Sequence, residues 1–140
     1  MPLVLEPDFE VIAVGWLKAS AEVIAVVPAA SIATKLRRPW QVGDVALRVR
    51  RIGGLPTESS AEHLKRGRLQ VECFAGDEDT ASRGVRLAVA RLRELAGTTD
   101  GEVVVTEVRT DLGISNVPDP DSDAERALAG VVLYAHAAPG

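Results

Sequence analysis

The stretch RLQVECFAGDEDTASRGVRLAVARLRELAG, residues 68–97, decides the fold. Its opening alternates: Leu69, Val71 and Cys73 share one side of an extended chain, and Gln70 and Glu72 the other. Then the period changes. Ala81, Val85, Ala88, Leu92 and Leu95 recur at spacings of three and four, the stripe of an amphipathic helix. Asp77 or Asp79 can cap its start, acids fill its first turn, and Gly97 ends it after basic residues. A strand running straight into a helix, each apolar on one side, predicts a sheet with helices laid upon it.

Upstream, VALRVRRIGG (45–54) is a second alternating strand, with Val45, Leu47 and Val49 on one side and Arg48 and Arg50 on the other. The polar connection LPTESSAEHLKRG joins it to the strand at 68, which fits an antiparallel hairpin with an extended tip. In PDFEVIAVGWLKAS (7–20), Phe9, Ile12, Ala13, Trp16 and Leu17 predict a helix over residues 8–19. EVIAVVP (22–28) reads as a brief strand or extended segment, and residues 28–44, with Pro28, Pro39 and Gly43, as an irregular connection. GEVVVTEVRT (101–110) and ERALAGVVLYAHA (125–137) supply two further strands. The expected architecture is α+β: one domain over residues 1–140, a four-stranded, mainly antiparallel sheet with two main helices packed on one face.

Composition narrows the function. With 46% apolar and 26% charged residues, the 140-residue chain has a globular balance and enough length for a core without staples. Sixteen basic against twenty acidic residues leave a net charge of -4, which argues against an independent duplex-DNA binder with a basic face. Cys73 is the single cysteine, so no intrachain disulfide can form. No apolar run approaches the roughly 18 to 20 residues of a membrane span, and a soluble protein made in the cytosol is expected. The two Trp, one Tyr and two Phe are too few for stacking platforms on single strands.

The segment NVPDPDSDAERA (116–127) sets Asp119, Asp121 and Asp123 at every second position. A calcium loop starting at Asp119 would need glycine sixth and glutamate twelfth; those positions hold Ala124 and Gly130. Pro118 and Pro120 stiffen the run, which reads as a solvated loop. His63 and His136 are the only histidines and Cys73 falls on a core face, too little for a zinc set or a positioned nucleophile. GGLPTESS lacks the Gly-Lys-Ser/Thr ending of a phosphate loop. No catalytic residue, metal ligand or cofactor is expected, and the chain is read as no enzyme. Arg37, Arg38, Arg48, Arg50 and Arg51 form the most basic part of the chain. Two readings stand for it: charge that keeps an edge strand from unwanted pairing, or a contact surface for an acidic partner or a neighbouring copy. In the second, the acidic loop would be the opposing surface of a head-to-tail ring.

Taken in order, PDFEVIAVGWL, VALRVRRIGG, RLQVECFAG running into DEDTASRGVRLAVARLRELAG, and VPDPDSDAERALAGVVLYAH span nearly the whole chain. Their sequence resembles tail terminator (tail completion) proteins of long, non-contractile-tailed bacteriophages of actinobacteria. The resemblance implies a virion protein of tail and neck, made in the host cytoplasm, that forms a ring, typically a hexamer. Such a ring sits on the head-proximal end of the tail tube, stops its polymerisation and meets the neck or head-closure protein. Genomic DNA would pass through it without sequence-specific binding. No catalytic residue transfers. Interface candidates under this reading are Arg48, Arg50 and Arg51, then Glu58, His63, Lys65 and Arg66 in the expected loop 54–66, and Asp119, Asp121 and Asp123 in the expected loop 111–123. The alternatives are another neck component (a head-closure or adaptor protein) and a small-ligand-binding regulatory α+β domain.

Overall fold

A computed structural model describes residues 7–52, 65–101 and 103–137. Helix α1 (Phe9–Lys18) starts where the Asp8 carboxylate accepts the Val11 amide at 3.2 Å, a side-chain cap for one of the free N–H groups of the first turn. Ser20 caps the four-residue α2 (Ala21–Ile24) in the same way. The expected extended segment at 22–28 is therefore helical at its start. Val23 and Val27 are both buried and lie four residues apart, so a turn of helix puts them on one side, and the Val27 amide donates to the Val23 carbonyl. Tertiary burial overrides the β-branched preference.

A 3-10 turn at Ala29–Ser31 leads into β1 (Ile32–Ala33), which lies parallel to β2 (Ala46–Arg51), with Ile32 opposite Leu47. Strand β2 returns antiparallel into β3 (Lys65–Ala75), and α3 (Glu78–Arg93) follows directly. Asp77 accepts the Thr80 amide at 2.8 Å to open α3. After Gly97, at φ +84, come β4 (Thr98–Asp100), β5 (Val103–Asn116) and β6 (Glu125–Ala137).

The sheet order is β1-β2-β3-β6-β5-β4. Among the described residues, six strands in a mixed, half-barrel sheet with three helices replace the expected four-stranded, mainly antiparallel sheet with two. The two missed strands are two and three residues long, too short to carry a visible alternation. The segment 111–123, expected to be a loop, is strand to Asn116; β5 outruns its alternating part through register shifts after Val105, Thr110 and Leu112. Such irregularities add twist and help the sheet to curl.

One side of the sheet is the core. Leu47, Val49, Leu69, Val71, Cys73, Ala129, Val131 and Leu133 are fully buried there, against Phe9, Ala13 and Leu17 of α1 and Ala81, Val85, Ala88 and Leu92 of α3. Each large apolar side chain so enclosed contributes roughly 1.5–3 kcal/mol. Small residues bring helix and strand together: a Cβ on Gly84 of α3 would overlap Cys73 Sγ, and one on Gly67 of β3 would overlap the Phe9 ring. Trp16 and Arg91 tie α1 to α3. The indole N–H donates to the Arg91 carbonyl at 2.6 Å, Arg91 Nε donates to the Trp16 carbonyl at 3.1 Å, and the guanidinium stacks 3.7 Å from the ring centroid.

Candidate functional site: the arginine-lined outer face

The opposite side of the sheet is not apolar. The register sets Arg48 and Arg50 of β2, Arg66 and Arg68 of β3, Arg126 of β6 and Arg109 of β5 on it, with Glu72, Glu107 and Asp111. At its centre is Glu72, fully buried. Arg48 donates to its carboxylate through Nε at 3.1 Å and Nη2 at 3.0 Å. Arg50 Nη2 adds a contact at 3.1 Å and Arg126 Nη1 one at 3.0 Å. Four charge-assisted contacts use the acceptor capacity of both oxygens. Burial by itself pushes the Glu72 carboxyl upward, but the Arg48 hydrogen bonds and the charges of Arg48, Arg50 and Arg126 outweigh it and hold the group below its ordinary value. The cluster keeps more positive charge than it neutralises.

Further along the face, Arg68 pairs with Asp111, and Arg109 donates to Glu107 at 2.6 Å while lying over the Tyr134 ring. Ile52, Arg66, Arg68, Asp111 and Tyr134 line a cleft of about 250 Å³. Among the sequence candidates, Arg48 and Arg50 are thus brought together, joined through one carboxylate. Arg51 is turned the other way, its guanidinium 5.6 Å from the Phe9 ring on the core side. Arg66 is exposed on the outer face and Lys65 opens β3 at the sheet's rim. Glu58 and His63 lie outside the described residues.

The acidic loop is organised by Asp119. Its carboxylate accepts the Ser122 hydroxyl at 2.6 Å and the Asp121 amide at 3.3 Å, and its own amide donates to the Ala124 carbonyl. Asp121 and Asp123 are exposed. Asp119 and Asp121 line an open groove of about 440 Å³ together with Lys35, Arg37, Arg38 and Arg48. Acidic loop and basic segment therefore face each other inside one copy, a proximity that sequence separation concealed. Sequence reasoning also missed the part played by Glu72. Alternation placed it correctly away from the core, yet its enclosure depends on Arg126, 54 residues away.

What this geometry defines is a class: a curled α+β sheet with helices covering one side and guanidinium groups the other. Among solved structures, the same fold occurs in a chain of the virion of a native gene transfer agent particle. The TM-score is 0.68 at 10% identity, over 92% of this chain and 93% of that one. A second solved chain aligns over 97% of this chain at 19% identity, but with a TM-score of 0.44 it is too distant to argue from. No family model matches the sequence, and no curated protein is similar to it in sequence.

Proposed function

We propose that this chain is a structural subunit of a phage-like particle, and specifically the tail terminator: a ring on the head-proximal end of the tail tube that ends polymerisation and joins tail to neck. The observation that carries this reading is the agreement of fold, over almost the full length of both chains, with a chain from a gene transfer agent virion. The order of sequence segments that resembles tail terminators supports the finer assignment. Its mechanism is shape-matching without bond-making. One surface fits the open end of the tube, and the other does not repeat it, so no further tube subunit can add.

Deletion of the gene followed by electron microscopy of lysates tests the reading. Overlong tails separate from filled heads are expected. Tails of normal length detached from heads would assign the chain to head closure instead, and intact particles of normal length would sink both.

A further inference from the structure

The two ends of β3 carry opposite charge. At its start stand Lys65, Arg66 and Arg68; Arg66 lies opposite Tyr134 of β6 and Arg68 opposite Val132. Arg68 is engaged with Asp111. Arg66 is exposed, and among the described residues it has neither an ion pair nor a hydrogen bond from its side chain. It borders the cleft of about 250 Å³ that Val132 and Tyr134 also line. A guanidinium with all its donors free, beside an aromatic ring, is a seat for a carboxylate side chain. The acid accepts two parallel N–H bonds, and its stem lies on apolar surface.

At the far end of the strand the sign reverses. Strand β3 ends at Ala75, and Asp77, Glu78 and Asp79 form an exposed corner where α3 begins. Asp77 is engaged in capping the helix, whereas Glu78 and Asp79 have no cation partner among the described residues. The acidic loop differs: Lys35, Arg37 and Arg38 share a groove with Asp119 and Asp121 inside one copy. The eleven residues of β3, at about 3.3 Å each, hold the Arg66 end and the acidic corner about 30 Å apart, too far to meet within a copy.

We infer that the Arg66 cleft receives the acidic corner, Glu78 and Asp79, of a second copy of this chain. The inference rests on the self-assembling reading above and names the two surfaces that would join. Charge complementarity selects the occupant, since each side offers what the other lacks. The surfaces are unlike and lie at opposite ends of one strand, so their union is head to tail, the kind of contact from which rings are closed. A phosphate backbone suits the cleft less well. Asp111 stands in its wall and Glu107 lies opposite Tyr134, so successive phosphates would run past carboxylates.

Sedimentation of the full chain, alone and with tail tube subunits added, tests this by exchanging charge. R66E, and separately E78R with D79R, should weaken self-association at low salt by about tenfold or more, with the melting temperature of R66E unchanged. High salt should weaken association of the native chain in the same sense. Mixing the two variants should restore it, because the reversed corner of one chain then meets the reversed cleft of the other. A chain that had merely lost its fold gains nothing from such a partner. Where arginines in the first turn of α3 lower the melting temperature, E78Q with D79N repeats the comparison without cations at the helix start. Loss in both variants with no recovery on mixing overturns the inference. So does R66E that associates like the native chain, or a native chain that stays monomeric in both conditions. Weaker duplex-DNA binding by R66E with self-association intact also overturns it and assigns the cleft to phosphate. Recovery on mixing with tube ends left uncapped would sink the terminator reading and keep this one. Tubes capped equally well by every variant would do the reverse.

Discussion

Replacing Glu72 by glutamine removes one charge and almost no volume from the middle of the outer face. The carboxylate is fully buried and receives four contacts of 3.0–3.1 Å from three arginines. An amide there retains one acceptor oxygen and turns two N–H donors toward guanidinium donors. Removing one partner of a buried ion cluster costs about 3–5 kcal/mol. The Arg48, Arg50 and Arg126 side chains are 25%, 44% and 15% exposed, so water can reach part of the stranded charge and the lower end applies, about 3 kcal/mol. With a urea slope near 2 kcal/mol per molar, E72Q should lower the unfolding midpoint by about 1.5 M at neutral pH. R126M should cost more than R50M, because the first side chain is the more enclosed. A shift for E72Q below about 0.5 M would mean that the cluster behaves as ordinary surface pairing, and the reasoning would fail.

The same group fixes a pH dependence. Its carboxyl is held below its ordinary value of 4.5 in the folded chain, so the unfolded chain takes up its proton first as pH falls. The stabilisation is fully present above the unfolded value and is lost as pH falls from there through the folded one. Stability of the native chain should therefore decline more steeply below about pH 4.5 than that of E72Q.

Three further outcomes follow from the core side. G84A should destabilise by about 1–3 kcal/mol despite alanine's better helix propensity, because the new methyl meets Cys73 Sγ; pairing it with C73A should recover much of the loss in urea unfolding. R91K removes both the stack on Trp16 and the hydrogen bond to its carbonyl, and should cost about 1 kcal/mol by thermal unfolding, whereas R83K on the exposed side of α3 should be neutral. Burial pushes the Cys73 thiol up to about 12, so a thiol reagent at pH 8 should leave the native chain unlabelled and react fully once urea unfolds it. Rapid native labelling would contradict the packing of α3 on β3.

Legibility in the sequence followed the physics of each element. The stripe of α3 and the alternation of β3 were readable because each packs on one side only, and every stripe residue from Ala81 to Leu95 is buried. The helix of residues 21–24 was not, since Val23 and Val27 look like a strand until their shared contact with the core is known. Strands β1 and β4 exist through pairing alone and leave no pattern to read. On the outer face, Arg48 and Arg50 could be placed by alternation. Their union with Arg126 through Glu72, and the meeting of Asp119 and Asp121 with Lys35 and Arg37, depend on how distant strands align. Local period gives facing; it does not give neighbours.

That distinction changes the argument about DNA. A net charge of -4 would suit the ring proposed above, through which a genome would pass without sticking, but charge is not spread evenly. The outer face of the sheet presents six arginines against Glu72, Glu107 and Asp111, while many carboxylates stand elsewhere, among them Asp77, Glu78 and Asp79 before and within α3. If this face lined a channel, its excess guanidinium charge would hold phosphates by counterion release and retard transit, most of all at low salt. Under the proposed terminator reading, a ring that passed DNA freely would turn these arginines away from the passage, against a neighbouring subunit or the tube, where carboxylates can meet them. Charge reversal by R66E and R68E separates the two orientations. With the face turned to a protein partner, these variants should lose assembly or tube capping and leave DNA ejection from any particles that still form unchanged. Normal assembly combined with a changed salt dependence of ejection would put the arginines in the lumen.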